Sequence, residues 1–157
     1  MQPKFCKVYP TLLGGRGTTD EIVRWLKNED RFSYVNSRIT TENFPFPARK
    51  EQEEENIVVY DPECSFDVNE GLLNMKKRGL LRPSYEHMLR FLRQHGMGAA
   101  LPSDKPFVLF LHEPLEDSQG GKVLYAGLFS SCRKAYLGHP DRGFSKMCLL
   151  AGVMPPK

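Results

Sequence analysis

Two stretches of this 157-residue chain are apolar at successive positions, "IVVY" at 57–60 and "FVLFL" at 107–111. Neighbouring side chains of a strand point to opposite faces, so a strand with one wet face alternates apolar and polar, whereas an unbroken run needs cover on both faces. Both runs are short and rich in β-branched and aromatic residues, which predicts interior strands. A fold that holds them must layer other elements on both sides of a sheet.

Helical patterns supply such layers. In "TTDEIVRWLKNED", Thr18 and Glu21 have capping-box spacing, and Ile22, Trp25 and Leu26 share a face. "DVNEGLLNMKKRG" repeats the cap with Asp67 and Glu70 and stops at Gly79. "RPSYEHMLRFLRQHG" places Tyr85, Met88, Leu89 and Leu92 on one stripe, with His87, Arg90 and Arg93 opposite; Pro83 or Ser84 opens it and Gly96 closes it. "SSCRKAYLG" and "FSKMCLLAGVM" read as two further short helices, the second with Met147, Leu150, Ala151 and Met154 in register. "RFSYVNSRIT" reads as a strand, and "KVLYAGLFS" as the antiparallel hairpin partner of "FVLFLHE".

The expected fold is α/β or α+β, a mixed sheet of about four to five strands with helices packed against it. A chain of 157 residues predicts a single domain, 1–157, that buries roughly two-thirds of its unfolded surface. Proline-broken or strongly charged stretches at 1–17, 41–56 and 153–157 read as extended arms.

The net charge of +3 hides a polarised chain. Between Glu42 and Glu70 nine acids stand against Arg49 and Lys50; between Lys76 and Arg93 six bases stand against Glu86, and from Lys122 to Lys157 six more against Asp141. The four cysteines, Cys6, Cys64, Cys132 and Cys148, form no C-x-x-C pair and alternate with no histidines, so a zinc site has little support and reduced thiols inside a cell are expected. No charged-then-apolar leader opens the sequence, and no run approaches the ~20 apolar residues of a membrane helix. The expected location is intracellular, in the cytoplasm or an organelle interior, and not secreted.

Both interior strands end in acids, as "DPE" at 61–63 and "HEP" at 112–114. Were the strands parallel neighbours, Asp61, His112 and Glu113 would meet at their carboxyl ends, where such a trio could hold a divalent cation or divide acid and base roles. Asp and Glu before proline also make ordinary turns. "LLGGRGTTDE" offers glycines ahead of a helix, as a phosphate cradle would. It lacks the Lys-Ser/Thr of a Walker loop, and Asp20 and Glu21 would repel a phosphate, so a plain turn is the better reading. Ser130, Ser131 and Cys132 follow a strand but lack the G-x-S-x-G elbow, and Cys64 near His112 is a further pairing that spacing leaves open.

Lys76, Lys77, Arg78, Arg82, Arg90, Arg93, Arg133, Lys134, Arg142 and Lys146 could contact phosphates or an acidic protein, and Phe44 and Phe46 could anchor a partner. With no catalytic motif, the favoured function is a non-catalytic binding or accessory subunit of a larger protein or ribonucleoprotein assembly, without a cofactor. The competing reading is a small metal-assisted hydrolase built on Asp61, His112 and Glu113.

Overall fold

The chain is described here by a computed structural model covering residues 5–15, 17–47, 51–99, 101–113, 115–116, 123–124, 126–130, 133–138 and 143–156. The elements in chain order are β1 (Cys6–Leu13), α1 (Thr19–Lys27), β2 (Tyr34–Val35), β3 (Glu53–Tyr60), α2 (Val68–Lys77), α3 (Tyr85–His95), β4 (Phe107–Phe110), β5 (Leu115–Glu116), β6 (Val123–Leu124), β7 (Ala126–Ser130), β8 (Lys134–Gly138) and β9 (Cys148–Val153). The fold is mixed α+β. One sheet runs β1-β3-β9-β4-β7-β8-β2, and β5 and β6 form a separate two-stranded ribbon.

The two apolar runs become β3 and β4, and β9 separates them. β9 lies antiparallel to β3 and parallel to β4. All six residues of β9 are buried, as a strand covered on both faces must be. This corrects the helical reading of "FSKMCLLAGVM". A run of six apolar residues satisfies both periods, and the slot between two interior strands selects the extended one. "SSCRKAYLG" is likewise not helical where described: its last five residues are β8, antiparallel to β7. The expected β4–β7 hairpin pairing is present, Phe107 opposite Ser130 and Phe110 opposite Gly127. With β8 and β9 added to the expected strands, the sheet has seven.

Parts of the stretches read as arms belong to the sheet or the core. Residues 6–13 are an edge strand in register with β3, from Cys6 opposite Tyr60 to Leu13 opposite Glu53. Glu53–Asn56 belong to β3 and Val153 to β9. Phe44 is fully buried, so residues 41–47 are pinned to the body through it.

The helices form the two layers. α1 and α3 cover one face, where Tyr9, Ile57, Val59, Val108, Phe110, Leu149 and Ala151 pack against Ile22, Leu26, Met88, Leu89, Phe91 and Leu92. α2 covers part of the other, above Val58, Tyr60, Leu109, Leu111 and Leu150. The caps form as the spacing predicts: the Thr18 side chain accepts from the Glu21 amide, and Asp67 and Glu70 complete a reciprocal box. In α3 a histidine takes the usual glutamate place, as the Ser84 amide donates to His87 Nδ1 at 2.9 Å. Glycines set how closely the α2 layer sits: a Cβ on Gly71 would lie 2.8 Å from Leu111 Cδ1, and one on Gly152 would lie 3.0 Å from Leu80 Cβ.

Candidate functional site

The acid-tipped strands do not form a shared cleft. β3 and β4 run in opposite directions with β9 between them, so their carboxyl ends point to opposite ends of the sheet. By register Asp61 sits level with Val108, two strands across and four residues along from His112, roughly 16 Å by strand spacing. Asp61 instead closes a turn. Its Oδ1 accepts the Glu63 amide at 2.8 Å, and Lys105 Nζ stands 3.3 Å from Oδ2. Cys64, on the same turn, shares the Asp61 end and is likewise remote from His112. Among the described residues no group of three His, Cys, Asp or Glu side chains is placed to hold a metal. The metal-assisted hydrolase therefore loses the convergence it required.

His112 and Glu113 are held by Arg82, whose guanidinium donates to the Leu111 carbonyl at 2.7 Å, the His112 carbonyl at 3.1 Å and Glu113 Oε1 at 3.1 Å. The His112 ring is fully buried, edge-on to Phe44 and Tyr85 with centroids 6.1 and 6.2 Å away. Its Nδ1 lies 2.9 Å from the Glu113 carbonyl, while Nε2 meets no hydrogen-bond partner among the described residues. Burial pushes its pKa down to about 4, with Arg82 adding to the fall and the Glu113 carbonyl opposing it. It is a neutral core histidine.

The glycine-rich turn belongs to a groove of about 490 Å³ lined by Gly14, Gly17, Trp25, Arg90 and Arg93, among others. Gly14, Gly15 and Gly17 all have positive φ, which explains glycine at each. The Gly14 amide donates to Glu86 Oε2 at 3.0 Å, and the same oxygen lies 3.4 Å from Arg90 Nε. Arg90 also stacks on Phe46 at 4.3 Å, and Arg93 on Trp25 at 3.8 Å. Carboxylates balance this groove: Glu86 is fully buried beside Arg90, and Glu21 lines the wall. Its arrangement fastens the turn to α3 and matches the plain-turn reading.

The predicted basic surface is dispersed. Arg82 and Arg90 are spent on internal bonds, and along the polar side of α3 Glu86, His87 and Arg90 are buried while Arg93 is exposed. Arg90 and Arg93 lie on the α1/α3 side, whereas Lys76, Lys77 and Arg78 end α2 on the opposite side. Arg133 and Lys134 sit at the β8–β2 end. Lys146 is exposed, its carbonyl accepting from Lys105 Nζ at 2.5 Å; Arg142 lies outside the described residues. Phe44 belongs to the protein's own core, which removes it as a partner anchor, and Phe46 is half-buried under Arg90. Ser130 ends β7, and Ser131 and Cys132 lie outside the described residues. Burial raises the Cys148 thiol, which disfavours its thiolate.

One surface was not singled out by the sequence. On β1, Tyr9, Thr11 and Leu13 turn inward, and Val8, Pro10 and Leu12 face out on the side where α2 lies. α2 does not reach them. Its contacts stop over β9 and β3, where Met75, with Leu80 just beyond the helix, lies above Gly152 and Asn74 accepts from the Tyr60 hydroxyl at 3.1 Å. Val8 is 46% exposed, Leu12 45% and Met154 39%. β3 lies between them: Val8 is opposite Val58, Pro10 is opposite Asn56, Leu12 is opposite Glu54, and the Met154 amide donates to the Asn56 carbonyl at 2.9 Å. A cavity of about 300 Å³ lined by Cys6, Val58, Tyr60, Arg78 and Leu80 continues the strip. Arg78 stacks on Tyr60 at 4.3 Å, and burial holds the Tyr60 hydroxyl pKa up at about 12 against the pull of Arg78. The available signal was "KVYPTLL", apolar in both strand phases although it begins the sheet's edge.

The outer rim of β1 is treated differently. Gln94 at the end of α3 pairs with both backbone groups of Leu12, donating to its carbonyl at 2.8 Å and accepting its amide at 2.9 Å. His95 Nε2 lies 2.8 Å from the Pro10 carbonyl. Side chains thus stand in for the missing neighbour strand along half of this edge, a device that blocks edge-to-edge pairing.

No protein-family model matches the chain, and no curated protein or solved structure matches it. The geometry above is the basis for a functional reading.

Proposed function

We propose that this chain is a non-catalytic binding subunit of a larger protein assembly, docked through the uncovered sheet face on β1 and β3. The observation that carries the reading is the row of Val8, Pro10 and Leu12 on β1, exposed beside the layer formed by α2, with Met154 beyond Asn56 on the same face. Single exposed apolar residues are ordinary, and three in a row on one strand face are what a docked partner would cover. Covering the exposed half of Val8, Leu12 and Met154 would contribute about 1 kcal/mol each. The rim made by Gln94 and His95 fits this use, because it suppresses strand addition while leaving the face open.

The test is the size of the native particle. In an extract of the source cells the wild-type chain should elute well above the mass of a lone 157-residue chain. A Val8→Lys/Leu12→Lys double variant should elute as the lone chain and still unfold in one cooperative transition, because both positions are about half exposed and a lysine there can reach water. A wild-type chain that elutes alone refutes the proposal.

A further inference from the structure

We infer that the occupant of the bare strip is one amphipathic helix of a partner protein, about 13 residues long, lying beside α2; this rests on the binding-subunit reading above. Three observations choose this occupant. The first is shape. From Cys6 to Leu12 the strip is roughly 20 Å long at strand rise, and its two strands give it a width of about 10 Å. Those are the dimensions of a 13-residue helix. A second copy of the chain offers no such helix among the described residues, because the apolar faces of α1, α2 and α3 are spent on their own sheet.

The second is the layer itself. α2 already covers the neighbouring half of the same face, with Leu80 and Met75 against Gly152. A helix on β1 and β3 continues that layer at ordinary helix spacing. An added strand is disfavoured at the rim, where Gln94 and His95 already occupy the backbone groups of Leu12 and Pro10.

The third is charge. Arg78 stands at the Cys6–Tyr60 end of the strip, and Glu54 is opposite Leu12 at the other. A helix docked with its C-terminal end over Arg78 and its N-terminal end near Glu54 places both ends of its dipole favourably. Acidic residues in its last turn would strengthen the Arg78 end despite their own cost to the helix, and apolar residues at i, i+3, i+4 and i+7 would meet Val8, Leu12 and Met154.

The experiment places a photo-crosslinking residue, p-benzoylphenylalanine, at Val8 or Leu12 of the full chain in its native extract, with Leu73, the exposed outer position of α2, as control. Crosslinked peptides are sequenced. Positions 8 and 12 should both capture one segment of another protein with apolar residues at three- and four-residue spacing, at least ten times more strongly than position 73. Capture of this chain's own peptides, or of a segment with strand alternation, overturns the inference. If the chain runs in a large particle while positions 8 and 12 capture nothing above position 73, the helix and its seat are refuted although binding stands; a chain that runs alone refutes both.

Discussion

Acidification should strip stability from this protein through one residue, His112. In the folded chain burial holds its imidazole at about 4, while the unfolded chain titrates near the ordinary 6.5. Between those values the unfolded state binds the proton and the folded state does not, so stability falls as pH drops through the window. Above 6.5 both states are neutral, and below 4 both are charged and the loss saturates. Each pH unit of difference is worth about 1.4 kcal/mol, so the full loss is about 3 kcal/mol, of which about 2.5 kcal/mol is present at pH 4.5. A His112→Phe variant keeps an aromatic ring against Phe44 and Tyr85 and removes the proton site and the orphaned Nε2. Urea unfolding of both proteins at pH 7.5 and 4.5 isolates the effect, since every other titrating group is common to the pair. The wild type should lose about 2.5 kcal/mol more than the variant. Parallel pH profiles, within about 0.5 kcal/mol, would refute the neutral core histidine.

Other consequences follow from packing and pairing. Gly71→Ala should cost about 1–3 kcal/mol by urea unfolding, because the new methyl would press on Leu111 and Phe66. Glu86→Ala removes the carboxylate buried beside Arg90 and the acceptor of the Gly14 amide, and should cost about 3–5 kcal/mol, measured the same way. Arg82→Ala frees the carbonyls of Leu111 and His112 and should cost about 1–3 kcal/mol, with faster amide exchange at the end of β4. Gln94→Ala should open the rim of β1 and raise the tendency to self-associate at high concentration, read by light scattering.

The features legible in the sequence are the local ones. Caps at Thr18 and Asp67 need only residues three apart, and the continuous apolar runs of β3 and β4 announce cover on two faces. The features that escaped depend on distant segments. The segment around β9 satisfies a helical stripe through Met147, Leu150, Ala151 and Met154 as readily as a strand, and only its place between β3 and β4 decides. That same insertion reverses β3 relative to β4 and separates Asp61 from His112. The burial of Glu86 and Arg90 on α3 was hidden because the groups that cover them come from elsewhere: Phe46 lies under Arg90, and Gly14 reaches Glu86 across 72 residues. The bare face was hidden for a related reason, since the extent of α2's cover is a property of the sheet order.

The most direct test of the account is amide hydrogen exchange across β1, compared between the isolated chain and the particle recovered from native extract. Covering the strip should slow exchange in the segment spanning residues 5–13 of the particle, with the outer surface of α2 around Leu73 unchanged. Equal exchange of residues 5–13 in both samples would contradict the assignment of this face as the seat of a partner.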